Sequence, residues 1–232
     1  MDVVVSFITG IMVYCSIAIC AVGIIYQLYL WWQTPKNNVP LNIFPQEKKN
    51  DYLRTFSDVI LMPEVYKINK PMWIVALYMH LIAPLVIISH FRFLPGVPAA
   101  VFENGIIKLL LGVMSLGLIL CVLYLLITKF KLPYRVMCVP GDYLLMGTLL
   151  AVVASGAYLH YFANIPVDAY KDYVKSLIQL KPLLGSSILD SGSLGAFSVH
   201  IFLVNIVILY FPFSKLFYWF LGSLYTGTLR RG

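Results

Sequence analysis

The chain contains four histidines, His80, His90, His160 and His200, and each lies inside or at the edge of an apolar run of membrane length. Imidazole is costly in hydrocarbon unless its ring is fixed and hydrogen-bonded, so histidines in such runs mark functional sites by default. His80 and His90 stand ten residues apart on one run, and His200 stands near the start of the last. Facing helices can carry the two axial ligands that a haem iron takes. That is the chemistry this pattern points to.

The elements that must position these rings follow from composition. Of 232 residues, 60% are hydrophobic and 12% charged, with a mean hydropathy of +0.85. Soluble domains carry roughly 25% charged residues, so this is an integral membrane protein. Five uncharged blocks reach the roughly 20 residues a helix needs to cross. They run over about 3–32, 72–94, 105–128, 141–162 and 196–221. The expected fold is an all-α, five-transmembrane-helix bundle forming a single domain over 1–232. Between the last two spans, VDAYKDYVKSLIQL places Tyr170, Tyr173, Val174, Leu177, Ile178 and Leu180 at helical spacing. This predicts an interfacial helix over about 167–180 lying on the membrane. MDVVVSFITG has no basic stretch before its apolar run, so the first span is expected to stay as an anchor. Cys15, Cys20, Cys121 and Cys138 include no CxxC pair and read as packing residues.

Charge gives an orientation. Lys36, Lys48, Lys49, Arg54, Lys67, Lys70, Lys129, Lys131, Arg135, Lys215, Arg230 and Arg231 fall on one side, twelve in all. Only Arg92, Lys108, Lys171, Lys175 and Lys181, five, fall on the other. The positive-inside rule makes the twelve-charge side cytoplasmic, with the N-terminus outside and the C-terminus inside. Basic charge confined to loops, without a basic face interleaved with aromatics, excludes a nucleic-acid reading. On this topology His90, His160 and His200 share the outer depth, and His80 lies about 15 Å deeper than His90.

Depth pairs His90 with His200. Small residues give room for a macrocycle: Gly192, Gly195, Ala196 and Ser198 around His200, Ala83 and Ser89 between the second-span histidines. Arg92, close after His90, could meet haem propionates. Pro84 predicts a kink between His80 and His90, and Pro212 has the same capacity in the fifth span. For His160 two readings stand: an interfacial histidine, or a hydrogen bond to a quinone carbonyl with Tyr158 or Tyr161 nearby. For all four, the plain alternative is a bond to a neighbouring helix.

The fifth span reads HIFLVNIVILYFPFSKLFYWF. It resembles the last haem-binding helix of the nitrate reductase gamma-subunit family of b-type cytochromes. The nearer branch pairs with heterodisulfide-reductase-like iron–sulfur proteins in sulfate-reducer respiratory complexes. His200 and Phe211-Pro212-Phe213-Ser214-Lys215-Leu216 carry the resemblance, with the ten-residue spacing of His80 and His90. PGDYLLMGTLLAVVASGAYLHYF followed by VDAYKDYVKSL is similar to the fourth span and outer helix of that branch. The short length points toward the cytochrome b subunit of high-molecular-weight cytochrome c complexes, or of sulfite-reductase-linked menaquinone complexes.

The resemblance implies that His90 and His200 ligate an outer haem b. An inner haem would use His80 and a histidine eighteen residues beyond His200, on the same face about 27 Å deeper. Here that residue is Tyr218. A phenolate can ligate haem iron, with Lys215 one turn away to favour it; otherwise the inner haem is missing or His80 has another partner. One haem is the expected count, with a second left open. The implied role is electron transfer between menaquinone and partners in a prokaryotic inner membrane. Those partners are an iron–sulfur subunit on the cytoplasmic side and further membrane and multihaem cytochrome c subunits. The chain would be an electron-transfer subunit rather than a complete enzyme. The competing reading is a haem-free structural or transport subunit, which five spans without internal repeats fit poorly.

Overall fold

A computed structural model describes residues 3–33, 60–98, 104–163 and 165–217, and among these the regular structure is helical. Five helices are long and apolar enough to cross a membrane. In chain order α1 spans Val3–Gln33, with a π-helical stretch at Phe7–Ile11. A short α2 covers Pro63–Ile68, and α3 covers Lys70–Ser89, continued by a 3-10 turn at His90–Phe93. The third span is α4, Gly105–Lys129, and the fourth is α5, Pro140–Phe162. Then come α6 at Val167–Ile178, α7 at Ser186–Leu189, and α8 at Leu194–Tyr210 with a 3-10 turn at Phe211–Phe213.

Local chemistry sets these boundaries. Asn69 accepts a hydrogen bond from the Met72 amide and Asn104 from the Ile106 amide, so each caps a helix start. Pro71 and Pro140 occupy first-turn positions, where a missing N–H costs nothing. Pro84 lies inside α3, and the helix runs on to Ser89. Its ring deprives the His80 carbonyl of the usual helical donor without ending the helix.

Burial is inverted relative to a soluble protein. Large apolar residues such as Ile25, Ile87, Leu109 and Leu120 face outward, while Thr9, Ser16, Asn205 and Ser198 are buried. Lipid is as apolar as leucine, so helices associate through close fit and polar contacts instead. Ser16 donates to Asn205 Oδ1 at 2.7 Å, and Asn205 Nδ2 donates to the Ile8 carbonyl at 3.4 Å, joining α1 to α8. Gly117 of α4 leaves room for the Tyr78 ring of α3, whose hydroxyl donates to the Met114 carbonyl at 3.2 Å.

The spans pack in the order α1, α8, α5, α4, α3. The second and fifth spans, α3 and α8, therefore stand apart, with α4 and α5 behind them. Where these ends come nearest, α6 crosses over both.

Two expectations gain detail. The helix expected at 167–180 forms as Val167–Ile178, with Ile178 and Leu180 exposed and part of its face packed on protein. Ala169 and Tyr173 are buried with Ile165, Leu184, Ile188 and Phe197. Tyr173 donates to the Thr9 carbonyl at 2.7 Å, and Tyr14 of α1 donates to the Leu177 carbonyl at 2.8 Å. Of the fifth span expected over 196–221, the described residues end at Phe217: α8 stops at Tyr210, a 3-10 turn follows, Ser214 is extended (φ −95°, ψ 160°), and residues 215–217 are again helical. Proline removes an N–H there and cannot continue the ladder.

Candidate functional site

His90 is the first residue of the 3-10 turn that ends the second span. Its Nδ1–H donates to the Val86 carbonyl at 2.7 Å, and its ring meets Phe93 edge-on at 5.8 Å between centroids. His200 lies in α8 against α5. Its Nδ1 is 2.9 Å from Ser155 Oγ, and Ser155 in turn donates to the Val152 carbonyl at 3.0 Å. With the serine hydrogen directed to that carbonyl, and the Val152 carbonyl also within His200's hydrogen-bonding reach, His200 is assigned as the donor. A hydrogen bond at one ring nitrogen sets the tautomer and leaves the other as the lone-pair nitrogen. Both rings therefore present Nε2 as the donor atom a metal requires.

These two imidazoles come from spans that do not pack extensively on each other, yet they lie within electrostatic reach of one another. Gly156 permits the approach on the α5 side, since a Cβ there would stand 3.1 Å from His200 Cε1. His80, ten residues earlier on α3, has the same tautomer through a 2.6 Å bond from Nδ1–H to the Ala76 carbonyl.

His160 differs. Its Nε2–H donates to the Lys108 carbonyl of α4 at 3.1 Å, and its ring stands edge-on to Tyr161 at 5.1 Å. Gly112 of α4 makes space for both side chains. The ring joins two helices, as the plain reading expected.

Arg92 lies two residues after His90, its guanidinium 4.7 Å from the centre of the Phe93 ring. Its Nε is buried without a hydrogen-bond partner, while His90, His160 and Tyr170 all lie within its electrostatic reach. Burial pushes the Tyr170 phenol up to about 12, against a smaller downward pull from Arg92. The phenol is therefore neutral, and Arg92 keeps its charge for an anion. Two imidazoles with Nε2 available on the second and fifth spans, beside a cation with an unmade buried donor, fit a haem with its propionates. Among the described residues no group of three or more His, Cys, Asp or Glu could hold a bare metal ion. Haem needs only two protein ligands, because the macrocycle supplies the rest.

Tyr218 lies outside the described residues. Lys215 is also committed elsewhere: it binds Asp142 Oδ2 at 2.6 Å, and that hydrogen bond holds its ammonium above the ordinary lysine range. Asp142 is 6% exposed and also accepts from the Val139 amide. Two grooves, about 230 Å³ beside Leu144, Thr148 and Tyr210 and about 320 Å³ beside Ala18, Val22 and Phe213, touch no histidine. Their apolar walls suit lipid.

Sequence reasoning missed Ser155, Gly156, Tyr170 and Phe197. Ser155 is 45 positions from the ring it orients, so no local signal could have found it. Phe197 was open to discovery, because it stands three residues before His200 on the same helix.

No family model matches the chain. It is 29% identical over 198 residues to the Hdr-like menaquinol oxidoreductase cytochrome b-like subunit of Archaeoglobus fulgidus, a match covering 81% of this chain. The chain is similar to a membrane cytochrome b subunit. That bears out the resemblance read from the fifth span and the histidine spacing. The matched region spans 58% of the length of this curated relative. The chain thus has five membrane-length helices and is similar to a cytochrome b-like subunit.

Proposed function

We propose that the chain is a haem b-binding membrane subunit of a respiratory complex that exchanges electrons with menaquinone. One observation carries this reading: His90 and His200, each with Nδ1–H engaged and Nε2 left as the lone-pair nitrogen, lie within electrostatic reach of each other on the second and fifth spans. A bound haem would supply one-electron redox chemistry, while the chain would supply both ligands, their orientation and the low-dielectric surroundings. Arg92 would neutralise the propionates. His80 is the ligand candidate for a second haem, and one haem is the proposed count because Tyr218 stands where the second histidine for that haem is expected. A quinone contact at His160 would fall to Nδ1, because Nε2 is engaged by Lys108.

In this reading the whole chain forms one membrane domain in a prokaryotic inner membrane, with the histidine end outward. The basic inner loops would dock an iron–sulfur subunit, and other membrane and multihaem cytochrome c subunits would complete the complex. The relative's printed name, an Hdr-like menaquinol oxidoreductase, supports the quinone and the multi-subunit setting.

A reduced-minus-oxidised spectrum with pyridine haemochrome stoichiometry tests the proposal. One b-type haem per chain is expected, lost in both His90→Ala and His200→Ala. Full haem content in either variant refutes the ligand pair. No b-type absorbance in the assembled wild type favours the haem-free structural reading.

A further inference from the structure

The second and fifth spans carry the candidate ligands without packing extensively on each other, so something else must hold the ligands at one separation. Phe93 stands three residues after His90 and touches its ring edge-on. Phe197 stands three residues before His200, about one helical turn away. Between them lies Tyr170 of α6. Its ring centre is 4.9 Å from that of Phe93, tilted by 42°, and 5.8 Å from that of Phe197, tilted by 47°. The ring contacts run from His90 through Phe93 and Tyr170 to Phe197, and the α8 backbone then leads to His200.

The far side of this chain is anchored. Phe197 is 2% exposed and meets Tyr173 edge-on at 5.3 Å. Tyr173 donates to Thr9 and Tyr14 donates to Leu177, so α6 is tied to α1 at two points. In the His90–Phe93 turn, residues three apart eclipse, so displacement of Phe93 is transmitted to His90.

We infer that Tyr170 is a positioning residue that sets the separation of His90 and His200, an inference that rests on the haem reading above. It acts through ring packing, because both contacts are tilted ring-to-ring contacts. Without it, α3 and α8 lose their bridge at the ligand level, and one imidazole can swing away from the iron.

The test uses the full-length chain purified with its haem, with Tyr170→Phe, Tyr170→Leu and Tyr170→Ala. Tyr170→Phe should keep the haem content, low-spin spectrum and midpoint potential of the wild type. Tyr170→Leu and Tyr170→Ala should keep their helix content yet release haem to an apo-globin scavenger about tenfold faster, the scale expected for two lost aromatic pairs. Both should also show a high-spin fraction in electron paramagnetic resonance. If Tyr170→Ala unfolds, Tyr170→Leu decides, because it retains most of the apolar volume. Wild-type retention, spin state and potential in Tyr170→Leu would overturn the inference while leaving the haem reading intact. Equal loss in Tyr170→Phe would move the role to the hydroxyl and overturn it as well. A wild type that binds no haem would remove the functional reading itself, and this inference with it.

Discussion

At the scale of single residues, the four histidines divide by which nitrogen each has engaged. His80, His90 and His200 donate from Nδ1, two of them to a carbonyl one turn back and one to Ser155. His160 donates from Nε2 to a neighbouring helix. Outer-shell partners of ligating histidines are worth roughly 10–100-fold in metal affinity. Ser155→Ala is therefore expected to weaken haem retention within that range, measured by transfer to a scavenger, with His90 unchanged. Gly156→Ala would place a Cβ 3.1 Å from His200 Cε1, so the ring must shift by a few tenths of an ångström. The expected result is a changed potential with normal haem content. Tyr170 adds a pH dependence. Its phenol is raised to about 12 by burial, whereas the exposed form ionises near about 10. Since the folded state holds the proton longer, its stabilising contribution is complete below about pH 10 and is lost as pH rises through about 12. Unfolding of the solubilised chain followed between those values should show that loss. Tyr170→Phe should show it less steeply, with Tyr173, also raised by burial, contributing the remainder in the same direction.

At the scale of elements, each span's outward face meets lipid, so the contacts between spans lie at small and polar positions. The Ser16–Asn205 bond ties the first span to the fifth, and the aromatic edge of α6 ties both to the second. Interhelical hydrogen bonds in membranes average about 0.6 kcal/mol and reach about 1.7 kcal/mol. Asn205→Leu also abandons the Ile8 carbonyl and should cost about 1 kcal/mol in a detergent unfolding titration, leaving the haem spectrum unchanged. Loss of the spectrum in Asn205→Leu would mean that first-span docking controls the ligand gap as well. The amphipathic helix α6 was legible as a helix from its spacing. Its partner was not, because period gives a face and not what covers it. Likewise Pro212 was visible as a helix breaker, but only the structure shows that α8 ends at Tyr210 and passes into a 3-10 turn.

At the scale of the whole molecule, twelve basic residues on one side against five on the other set the expected orientation. A C-terminal fluorescent-protein fusion should be bright and an alkaline phosphatase fusion inactive; the reverse result would invert the topology and put the histidine end inside. The basic inner loops predict that an iron–sulfur partner binds with salt sensitivity, since exposed charges are screened over about 8–10 Å at physiological ionic strength.

Taken alone, the sequence determined the number of spans, their approximate ends, the helical character of 167–178 and the set of histidines. Each of these depends on length, hydropathy or spacing along one chain segment. Depth along the membrane also follows from counting residues, and it paired His90 with His200 before any packing was known. Only tertiary structure decided that the spans order as α1, α8, α5, α4, α3, leaving the second and fifth apart. It alone turned each imidazole to one tautomer, joined Lys215 to Asp142 and set Tyr170 between two phenylalanines. Apart from the one-turn bonds of His80 and His90, those contacts link residues from 27 to 77 positions apart, and no local periodicity records which faces of separate helices will meet.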